Sequence, residues 1–300
     1  MKVFVLGDIM LDEYIYITPT KLSQEAPIAV GRYNRTIYVP GGAANAAANV
    51  AALGAESYLA GYIGKDESAE TLKALMSHHL IQDCTIEAQS WDTIRKTRIV
   101  DESGHQFVRV DYENPEPLIH LESQEMLKNY IQTAALSADC LFISDYGKGT
   151  LTGLIEYAIA QFKQAFKFVV VNGKPENIAL YGRANVITMN KSEWEQAYKV
   201  RHLEVAQPDD ILKQFRILLP KSTLIMTCGS EPIIVCKDAN TYSYPIRKVD
   251  VADVSGAGDT FASVIAVLTN ADPDAIKQAI RAAGEVVGYK GTTVPKWRVI

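Results

Sequence analysis

Residues 253–261 read Asp-Val-Ser-Gly-Ala-Gly-Asp-Thr-Phe, and the apolar stretch Thr260–Thr269, which overlaps their end, has the pattern of a helix. The glycines therefore lie where a helix begins, and the unpaired N–H groups of Gly256–Gly258 coincide with the positive end of the helix dipole. This arrangement predicts a site for an anion, above all a phosphate group. Asp259 adds a carboxylate beside it, which suits a general base that takes the proton of an attacking hydroxyl. The alternative is an ordinary glycine-rich turn, with Asp259 simply a residue of the first helical turn.

The composition predicts one large domain that binds small molecules. The chain has 300 residues, of which 48% are hydrophobic, and a formal net charge of −5. Because it has no basic run and no apolar run long enough to span a bilayer, we expect neither nucleic acid nor a membrane as partner. The start, Met1–Leu6, is too short for the apolar part of a signal peptide. The four cysteines are scattered without a C-x-x-C pair, which is typical of reduced thiols in a cytoplasmic protein.

Short aliphatic runs alternate with helical patterns along the chain. The predicted strands are Val3–Leu6, Ser57–Gly61, Cys140–Ser144, Phe168–Val171, Val186–Met189 and Thr223–Cys228. The predicted helices between them are Ala43–Leu53, Glu67–His79, Leu121–Leu136, Leu151–Phe162, Lys191–Tyr198 and Asp209–Leu218. Such alternation predicts an α/β fold, with a mostly parallel sheet covered by helices on both faces. Polar residues follow two of the strands, at Ser144-Asp145 and Met189-Asn190, as expected where a ligand binds at the carboxyl edge of a sheet.

Two segments, about residues 12–40 and 92–112, alternate apolar and polar residues instead. This pattern predicts antiparallel strands with one face in water. Ser103-Gly104 would form the turn of a hairpin between two of them. We expect a small β-sheet that stands off the main body as a lid, within one domain spanning residues 1–300. The alternative is that these strands lie at the edge of the main sheet.

Two features near the start of the chain suit a polyol. Gly41 and Gly42 let a ligand approach the backbone, and Asn45 presents a donor and an acceptor one turn into the following helix. Close packing of a helix rich in small residues would explain them equally. Asp12 follows the first strand, where a carboxylate can accept hydrogen bonds from two neighbouring hydroxyls. Helix capping or exposure to solvent is its alternative role.

Several charged residues point to a phosphorylated substrate. Lys96, Arg98 and Arg109 lie in the predicted lid, and Asp145 and Lys148 follow a predicted strand. Four cations near a sugar site would be unusual for a neutral sugar and natural for a sugar phosphate. The alternative is a solvated face of the lid.

Residues 253–261 resemble the signature D-x-x-G-A-G-D-x-F of the ribokinase-like (PfkB) sugar kinases. The resemblance implies a ribokinase-like three-layer sandwich and an ATP-dependent transfer of phosphate to an alcohol group. It also implies that Asp259 is the general base and that the amides of Gly256, Ala257 and Gly258 form the anion hole. Gly41, Gly42, Asn45 and Asp12 match the family's sugar-binding positions, with one residue fewer between the glycines and the asparagine.

The same resemblance implies a nucleotide site. Asn190 and Glu193 match a motif linked to Mg²⁺ through water, although Asn-x-x-Glu alone is an ordinary capping box. Thr227 and Gly229 match a segment that lines the nucleotide, but the family's usual second glycine is missing there. The residues assigned to ATP and its ions are Lys174, Asn190, Glu193, Thr227, Gly229 and Ser255, with Asp253 for a monovalent cation such as K⁺.

Within the family, the chain most resembles the bacterial heptose 7-phosphate kinases. The segments that carry this resemblance are residues 7–12, 23–27, 40–45, 93–98, 108–111, 144–149 and 291–294. The resemblance implies phosphorylation of the anomeric hydroxyl of heptose 7-phosphate, giving a 1,7-bisphosphate used for lipopolysaccharide precursors. One departure is Asn172-Gly-Lys-Pro175, where those kinases have Asp-Pro-Lys-Gly, so a carboxylate has become an amide.

The resemblance extends to assembly and leaves alternatives. In many bacteria this kinase is fused to a nucleotidylyltransferase, and we expect the stand-alone form here. Because lids of this family often pair, we also expect a homodimer. Another PfkB kinase, acting on fructose phosphate, ribose or a nucleoside, is the second candidate. A sugar- or nucleotide-binding sensor without catalysis is the third.

Overall fold

The computed structural model describes residues 1–114, 121–165, 167–200, 207–238 and 240–299. Its main sheet has nine strands. In spatial order they are β13 (Asn240–Tyr244), β12 (Ile233–Lys237), β11 (Thr223–Thr227), β10 (Val186–Asn190), β9 (Phe168–Asn172), β8 (Cys140–Ser144), β1 (Lys2–Gly7), β4 (Glu56–Ile63) and β5 (Gln82–Glu87). All neighbours from β11 to β5 pair in parallel, whereas β12 and β13 add an antiparallel hairpin at one edge.

Helices cover both faces of this sheet. One face carries α1 (Ala43–Ala52), α2 (Glu67–His78), α7 (Ala257–Leu268) and α8 (Pro273–Val286). The other carries α3 (Leu121–Ser137), α4 (Ile155–Gln164), α5 (Lys191–Val200) and α6 (Pro208–Leu218), with a 3₁₀ helix at Pro175–Tyr181. Along β1, Phe4 and Leu6 enter one core while Val3 enters the other, because successive side chains of a strand point to opposite faces. The predicted three-layer arrangement is confirmed.

A second sheet has four strands of its own. In spatial order they are β3 (Ala29–Gly42), β2 (Ile9–Leu22), β6 (Ile94–Val100) and β7 (Gln106–Tyr112). They pair with one another rather than at an edge of the main sheet, so the alternative of edge strands is wrong. The hairpin turn predicted at Ser103-Gly104 joins β6 to β7. Whether this sheet acts as a lid stays a prediction.

The expectation of a purely antiparallel second sheet is wrong, because its central pair, β2 and β6, runs in parallel. The reason lies in the main sheet. β2 follows β1, and β6 follows β5. Because β1 and β5 are parallel, the chain leaves both at the same edge of the main sheet in the same direction, so β2 and β6 start out in parallel. Asp12 follows the first strand as predicted, and it lies within β2, which begins at Ile9.

The predicted strands of the main sheet all occur, with ends shifted by at most two residues. Two helix starts differ more. α4 begins at Ile155 rather than Leu151, because the chain first turns at Gly153, whose φ is +70°. α7 begins at Ala257, three residues before the predicted Thr260, so Asp259 lies in its first turn. The sequence analysis did not predict β5, β12, β13 and α8. No helix among the described residues is both long and apolar enough to cross a bilayer.

Candidate active site

Polar residues meet where the parallel strands end. Ser144 ends β8 and lies opposite Asn172 at the end of β9. Asn190 ends β10 and lies opposite Thr227 at the end of β11. The N-terminus of α7 reaches the same region, because Asp259 in its first turn is hydrogen-bonded to Asn172. This edge is where ligands bind in open α/β sheets.

Asp259 is the centre of this region, and its side chain is only 2% exposed. Asn45 Nδ2 donates to its Oδ2 at 2.8 Å, and Asn172 Nδ2 donates to its Oδ1 at 3.1 Å. The Tyr146 hydroxyl lies 2.8 Å from both carboxylate oxygens. Helix α1, strand β9 and the loop after β8 thus each supply one donor to a carboxylate of α7.

The environment of Asp259 suits a base at neutral pH. Burial raises the pKa of Asp259 to about 6, and the charge of Asp12 adds to the rise. The three hydrogen bonds oppose the rise, because they stabilise the carboxylate. A general base is most effective when its pKa lies near the working pH.

The start of α7 has the geometry of an anion site. Gly256 caps the helix with a φ of +79°, and a Cβ there would lie 2.7 Å from Asn45 Nδ2. Gly258 opens onto free space, since a Cβ on it would meet nothing within 4 Å. The Ala257 N–H makes a long hydrogen bond of 3.4 Å to the Val254 carbonyl. The first-turn amides of an α-helix have no partners within the helix, so this turn can donate to a phosphate.

Asp253 and Ser255 shape the loop that leads into α7. The Asp253 carboxylate accepts hydrogen bonds from the N–H groups of Ser255, at 2.8 Å, and Gly291, at 3.1 Å. It therefore joins this loop to the C-terminal segment. A monovalent cation at Asp253 and a nucleotide contact of Ser255 stay predictions.

Asp12 and Arg98 form a pair on the second sheet. They come together because β2 and β6 run in parallel, and Arg98 Nη1 lies 2.5 Å from Asp12 Oδ1. Burial raises the pKa of Asp12, while Arg98 and Lys96 act against the rise. Gly41 lies beside this carboxylate, since a Cβ on it would lie 2.7 Å from Asp12 Oδ2. Gly42 has a φ of +54° and leads the chain into α1.

The four cations predicted to hold a sugar phosphate are all in ion pairs. Besides the Arg98 pair, Lys96 lies 3.2 Å from Asp111, which Arg109 also contacts at 2.8 Å. Glu113 connects two of the cations, at 2.7 Å from Lys148 and 3.3 Å from Lys96. An incoming phosphate would have to compete with these carboxylates.

Asp145 serves the loop after β8. Its Oδ2 accepts hydrogen bonds from the Tyr181 hydroxyl, at 2.6 Å, and Asn177 Nδ2, at 2.8 Å. Its Oδ1 accepts from the N–H of Gly147 at 2.8 Å. The carboxylate therefore stabilises the loop, and a contact to the sugar stays a prediction.

The residues assigned to the nucleotide lie at the ends of β10 and β11. Asn190 and Glu193 form the capping box. The N–H of Asn190 donates to Glu193 Oε2 at 2.8 Å, and the N–H of Glu193 donates to Asn190 Oδ1 at 2.9 Å. The other oxygen of Glu193 is paired with Lys174. Thr227 ends β11, and Gly229 turns the chain with a φ of +61°. The role proposed for the capping-box residues in binding Mg²⁺ stays a prediction.

The donor set fits magnesium held mostly by other ligands. Among the described residues there is no group of three or more His, Cys, Asp or Glu side chains that could hold a metal ion. Mg²⁺ needs no such cage, because it commonly keeps several waters and binds one or two carboxylates together with substrate phosphates. Glu193 and Asn190 are suited to contact those waters.

The sequence analysis gave no role to several residues that build the site. Tyr146 lies on Asp259, and Glu113 joins Lys96 to Lys148. Asp8 is fully buried and accepts hydrogen bonds from the N–H groups of Tyr146, Lys148 and Thr150, at 2.8 to 3.1 Å. A polar residue directly after a buried strand was the available signal for Asp8.

We expect Asp8→Asn to destabilise the fold and impair the site. An amide keeps one acceptor oxygen, so at least one buried N–H of the loop 146–150 would lose its partner. The expected loss is about 1–3 kcal/mol in the free energy of unfolding, measured by chemical denaturation. Turnover should also fall, because this loop carries Lys148, one of the residues assigned to the substrate.

Asp66→Asn is the matched control for this change. Asp66 also accepts two backbone N–H groups, from Ala69 and Thr93, each at 2.8 Å. It should lose stability without a comparable loss of turnover. Equal loss of turnover in both variants would contradict the role given to Asp8.

Comparison with known proteins gives the class of protein and then the family. The chain shares its fold with the phosphofructokinase-2 of Escherichia coli, in a structure with potassium, at a TM-score of 0.77 and 16% sequence identity. The match covers 97% of this chain and 94% of that one. The ribokinase of Thermotoga maritima gives a TM-score of 0.74 at 19% identity, with 97% and 94% covered. The chain therefore has the ribokinase-like α/β fold. The chain belongs to the pfkB family of carbohydrate kinases, whose family model matches residues 1–298.

Two curated relatives are about equally similar. The bifunctional protein HldE of Rhodopseudomonas palustris is 34% identical over 299 residues, and that of Chromohalobacter salexigens is 33% identical over 300. Both alignments cover 97% of this chain but 60% and 61% of the relatives. The chain thus spans about three fifths of their length.

Proposed function

We propose that the chain transfers the γ-phosphoryl group of ATP to a hydroxyl of a phosphorylated sugar, with heptose 7-phosphate as the leading substrate and its 1,7-bisphosphate as product. The observation that carries the proposal is the buried carboxylate of Asp259, held at the start of α7 beside an open helix N-terminus. The resemblance to heptose 7-phosphate kinases and the similarity to HldE proteins support the choice of sugar.

The proposed reaction is an in-line transfer. Asp259 accepts the proton of the acceptor hydroxyl, whose oxygen forms a bond to the γ-phosphorus. The bond from that phosphorus to the bridging oxygen breaks, and ADP leaves with the electron pair. The amides of Gly256–Gly258 stabilise the charge on the moving group. Glu193 and Asn190 would hold magnesium through water, and the ion would supply positive charge against the ATP phosphates.

The substrate is tested with an ATP-turnover assay in the presence of Mg²⁺. The panel is D-glycero-D-manno-heptose 7-phosphate, sedoheptulose 7-phosphate, fructose 6-phosphate, fructose 1-phosphate, ribose and adenosine. A strong preference for the heptose phosphate is expected. Preference for another sugar would move the substrate but keep the mechanism, and no turnover with any of them would favour a non-catalytic sensor.

A kinase for a neutral sugar is the second candidate. One observation favours it: Lys96, Arg98, Arg109 and Lys148 are each already paired with a carboxylate. If this candidate is right, these ion pairs are only structural. The pairs of Lys96, Arg98 and Arg109 with aspartates lie within the second sheet, and the Lys148–Glu113 pair joins the end of that sheet to the loop after β8.

Lys96→Ala separates these two candidates. Lys96 is mostly buried, with 16% of its side chain exposed, and shares Glu113 with Lys148. We expect the KM for a sugar phosphate to rise roughly tenfold, about 1.4 kcal/mol of binding. The KM for the corresponding sugar without phosphate should change little. An equal rise for both sugars would contradict a phosphate-binding role.

Two further variants serve as comparisons for Lys96→Ala. Glu113→Gln removes the carboxylate that competes for Lys96 and Lys148, so the KM for a sugar phosphate should fall. Lys128→Ala removes a surface lysine of α3 that pairs with Glu125, and it should change neither KM.

We also propose that two copies pair through the second sheet. Val108, Val110 and Tyr112 alternate along one face of β7 and are 41–48% exposed. A row of exposed apolar residues on an edge strand is a common site of association. Sedimentation velocity tests this, and a monomer at micromolar concentration would contradict it. K⁺ dependence and a cytoplasmic location stay predictions from the sequence.

A further inference from the structure

The Tyr146 hydroxyl lies against both oxygens of the Asp259 carboxylate. Its hydroxyl is 2.8 Å from Oδ1 and 2.8 Å from Oδ2, so it faces the two oxygens together. Asn45 and Asn172 instead each hold one oxygen. The hydroxyl therefore covers the side of the carboxylate where one donor can reach both oxygens.

The hydroxyl of Tyr146 acts as a donor here. Burial and the charge of Asp259 raise the pKa of Tyr146 well above its ordinary value of 10, so the phenol keeps its proton. Its hydrogen bond stabilises the ionised form of Asp259 and lowers the basicity of that carboxylate. The attacking hydroxyl of a sugar must form the same kind of hydrogen bond to the same carboxylate before it can give up its proton.

The two amide donors are fixed more firmly than the phenol. Asn45 lies on α1, where Asn49 Nδ2 donates to both its side-chain and backbone oxygens, at 3.2 and 2.9 Å. Asn172 ends β9 in the middle of the main sheet. Tyr146 is half-buried, as Asn172 is, but it lies in the loop after β8 rather than in a strand or a helix. Of the three donors, the phenol is the one that a ligand can displace with least disturbance of the core.

We propose that, without sugar, the Tyr146 hydroxyl occupies the place of the acceptor hydroxyl on Asp259, and that the bound sugar displaces it. The inference rests on the proposed role of Asp259 as the base. Displacement removes a donor from Asp259 at the moment when the acceptor arrives. In the absence of sugar, the phenol keeps water off the base and so opposes hydrolysis of ATP.

Among the described residues, few charged or titratable groups lie around Asp259. Asp12, from β2, faces it and is paired with Arg98 of β6. Lys174 lies 5.5 Å from the centre of the Tyr146 ring and is paired with Glu193 of α5. Asn45 and Asn172 do not titrate. A change in Tyr146 should therefore reach the protonation of Asp259 directly.

The test compares pH profiles of the wild type and Tyr146→Phe. The profile of kcat/KM reports the free enzyme, and that of kcat reports the complex with substrate. Loss of the phenol donor should move the acid limb of kcat/KM to higher pH by roughly one unit, the size of one hydrogen bond. The acid limb of kcat should stay where it is, because the phenol has already left Asp259 in the complex.

Two other changes are expected in Tyr146→Phe. The KM for the sugar should fall several-fold, because the acceptor no longer displaces a bound hydroxyl, and ATP hydrolysis without sugar should rise. Tyr157→Phe is the control. The Tyr157 hydroxyl contacts Gln132, in the helix layer on the other face of the sheet from α7, so its removal should leave both profiles unchanged. Titration of ATP and of the sugar phosphate affects every variant equally, so the difference between variants reports the enzyme.

The outcomes are distinct. Equal shifts in both profiles would mean that the phenol stays on Asp259 during turnover, and no shift in either would mean that it does not bind Asp259 in solution. Either result overturns the inference. A fully active Asp259→Asn variant would instead remove the proposed base. A structure with bound sugar is the check that needs no variant, and a Tyr146 hydroxyl still 2.8 Å from both oxygens would contradict displacement.

Discussion

Asp259→Asn is expected to lower kcat by about 10²–10⁴-fold while ATP still binds. The reason is that Asp259 is the proposed acceptor of the proton, whereas ATP is proposed to contact the amides of α7 and the ends of β10 and β11. The amide cannot take a proton at neutral pH, and its NH₂ group would face donors from Asn45, Asn172 or Tyr146. Turnover is measured by release of ADP, and ATP binding by calorimetry.

Asp274→Asn is the matched control for this substitution. Asp274 also lies in the first turn of a helix, α8, but its side chain is 85% exposed and pairs with Lys277 on the same helix. It should keep full turnover. Near-normal kcat in Asp259→Asn would show that another group accepts the proton.

Gly256→Ala is expected to cause the second large effect, a loss of kcat on the order of 10²-fold, the scale expected when a reacting group is misplaced by about 1 Å. Gly256 has a φ of +79°, which costs a residue with a Cβ about 1–2 kcal/mol. That Cβ would also lie 2.7 Å from Asn45 Nδ2, the atom that donates to Asp259. Strain and displacement of the base should therefore appear together, in the melting temperature and in kcat.

Gly258→Ala distinguishes an effect on the stability of the fold from an effect on anion binding. A Cβ at Gly258 would meet nothing within 4 Å, and the residue lies inside a helix, where alanine is preferred by about 0.5–1 kcal/mol. The melting temperature should therefore stay or rise. If ATP phosphate lies against this turn, the KM for ATP should still increase roughly tenfold, or about 1.4 kcal/mol. An unchanged KM for ATP would place the phosphate elsewhere.

Much of the fold followed from local patterns. The six predicted strands of the main sheet are short apolar runs, and such runs belong in a parallel sheet covered on both faces. Two of the strands that escaped prediction have weaker patterns, whereas β12, with the sequence Ile-Ile-Val-Cys-Lys, had an apolar signal that was missed. β5 has one buried side chain, that of Ile86, and β13 has none. Helix α8 did have a local signal, since Asp272 caps it and Pro273 follows at its first position.

The candidate site was predicted in its composition but not in its contacts. The sequence singled out Asp259, Asn45 and Asp12, and the structure brings Asn45 onto Asp259. It could not show that Arg98 is paired with Asp12, because that pair depends on the parallel register of β2 and β6. Nor could it show that Glu113 occupies the cations of two separate segments.

The layers, the helix N-terminus that can receive an anion and the carboxylate beside it can be read from the sequence, because they depend on residues that are neighbours along the chain. The surroundings of that carboxylate depend on tertiary contacts. Its three donors come from residues 87, 113 and 214 positions away, on β9, the loop after β8 and α1. Parallel strands bring such distant residues to one edge, and burial there raises the pKa of Asp259 to about 6. The basicity of the group therefore depends on packing that no local pattern records.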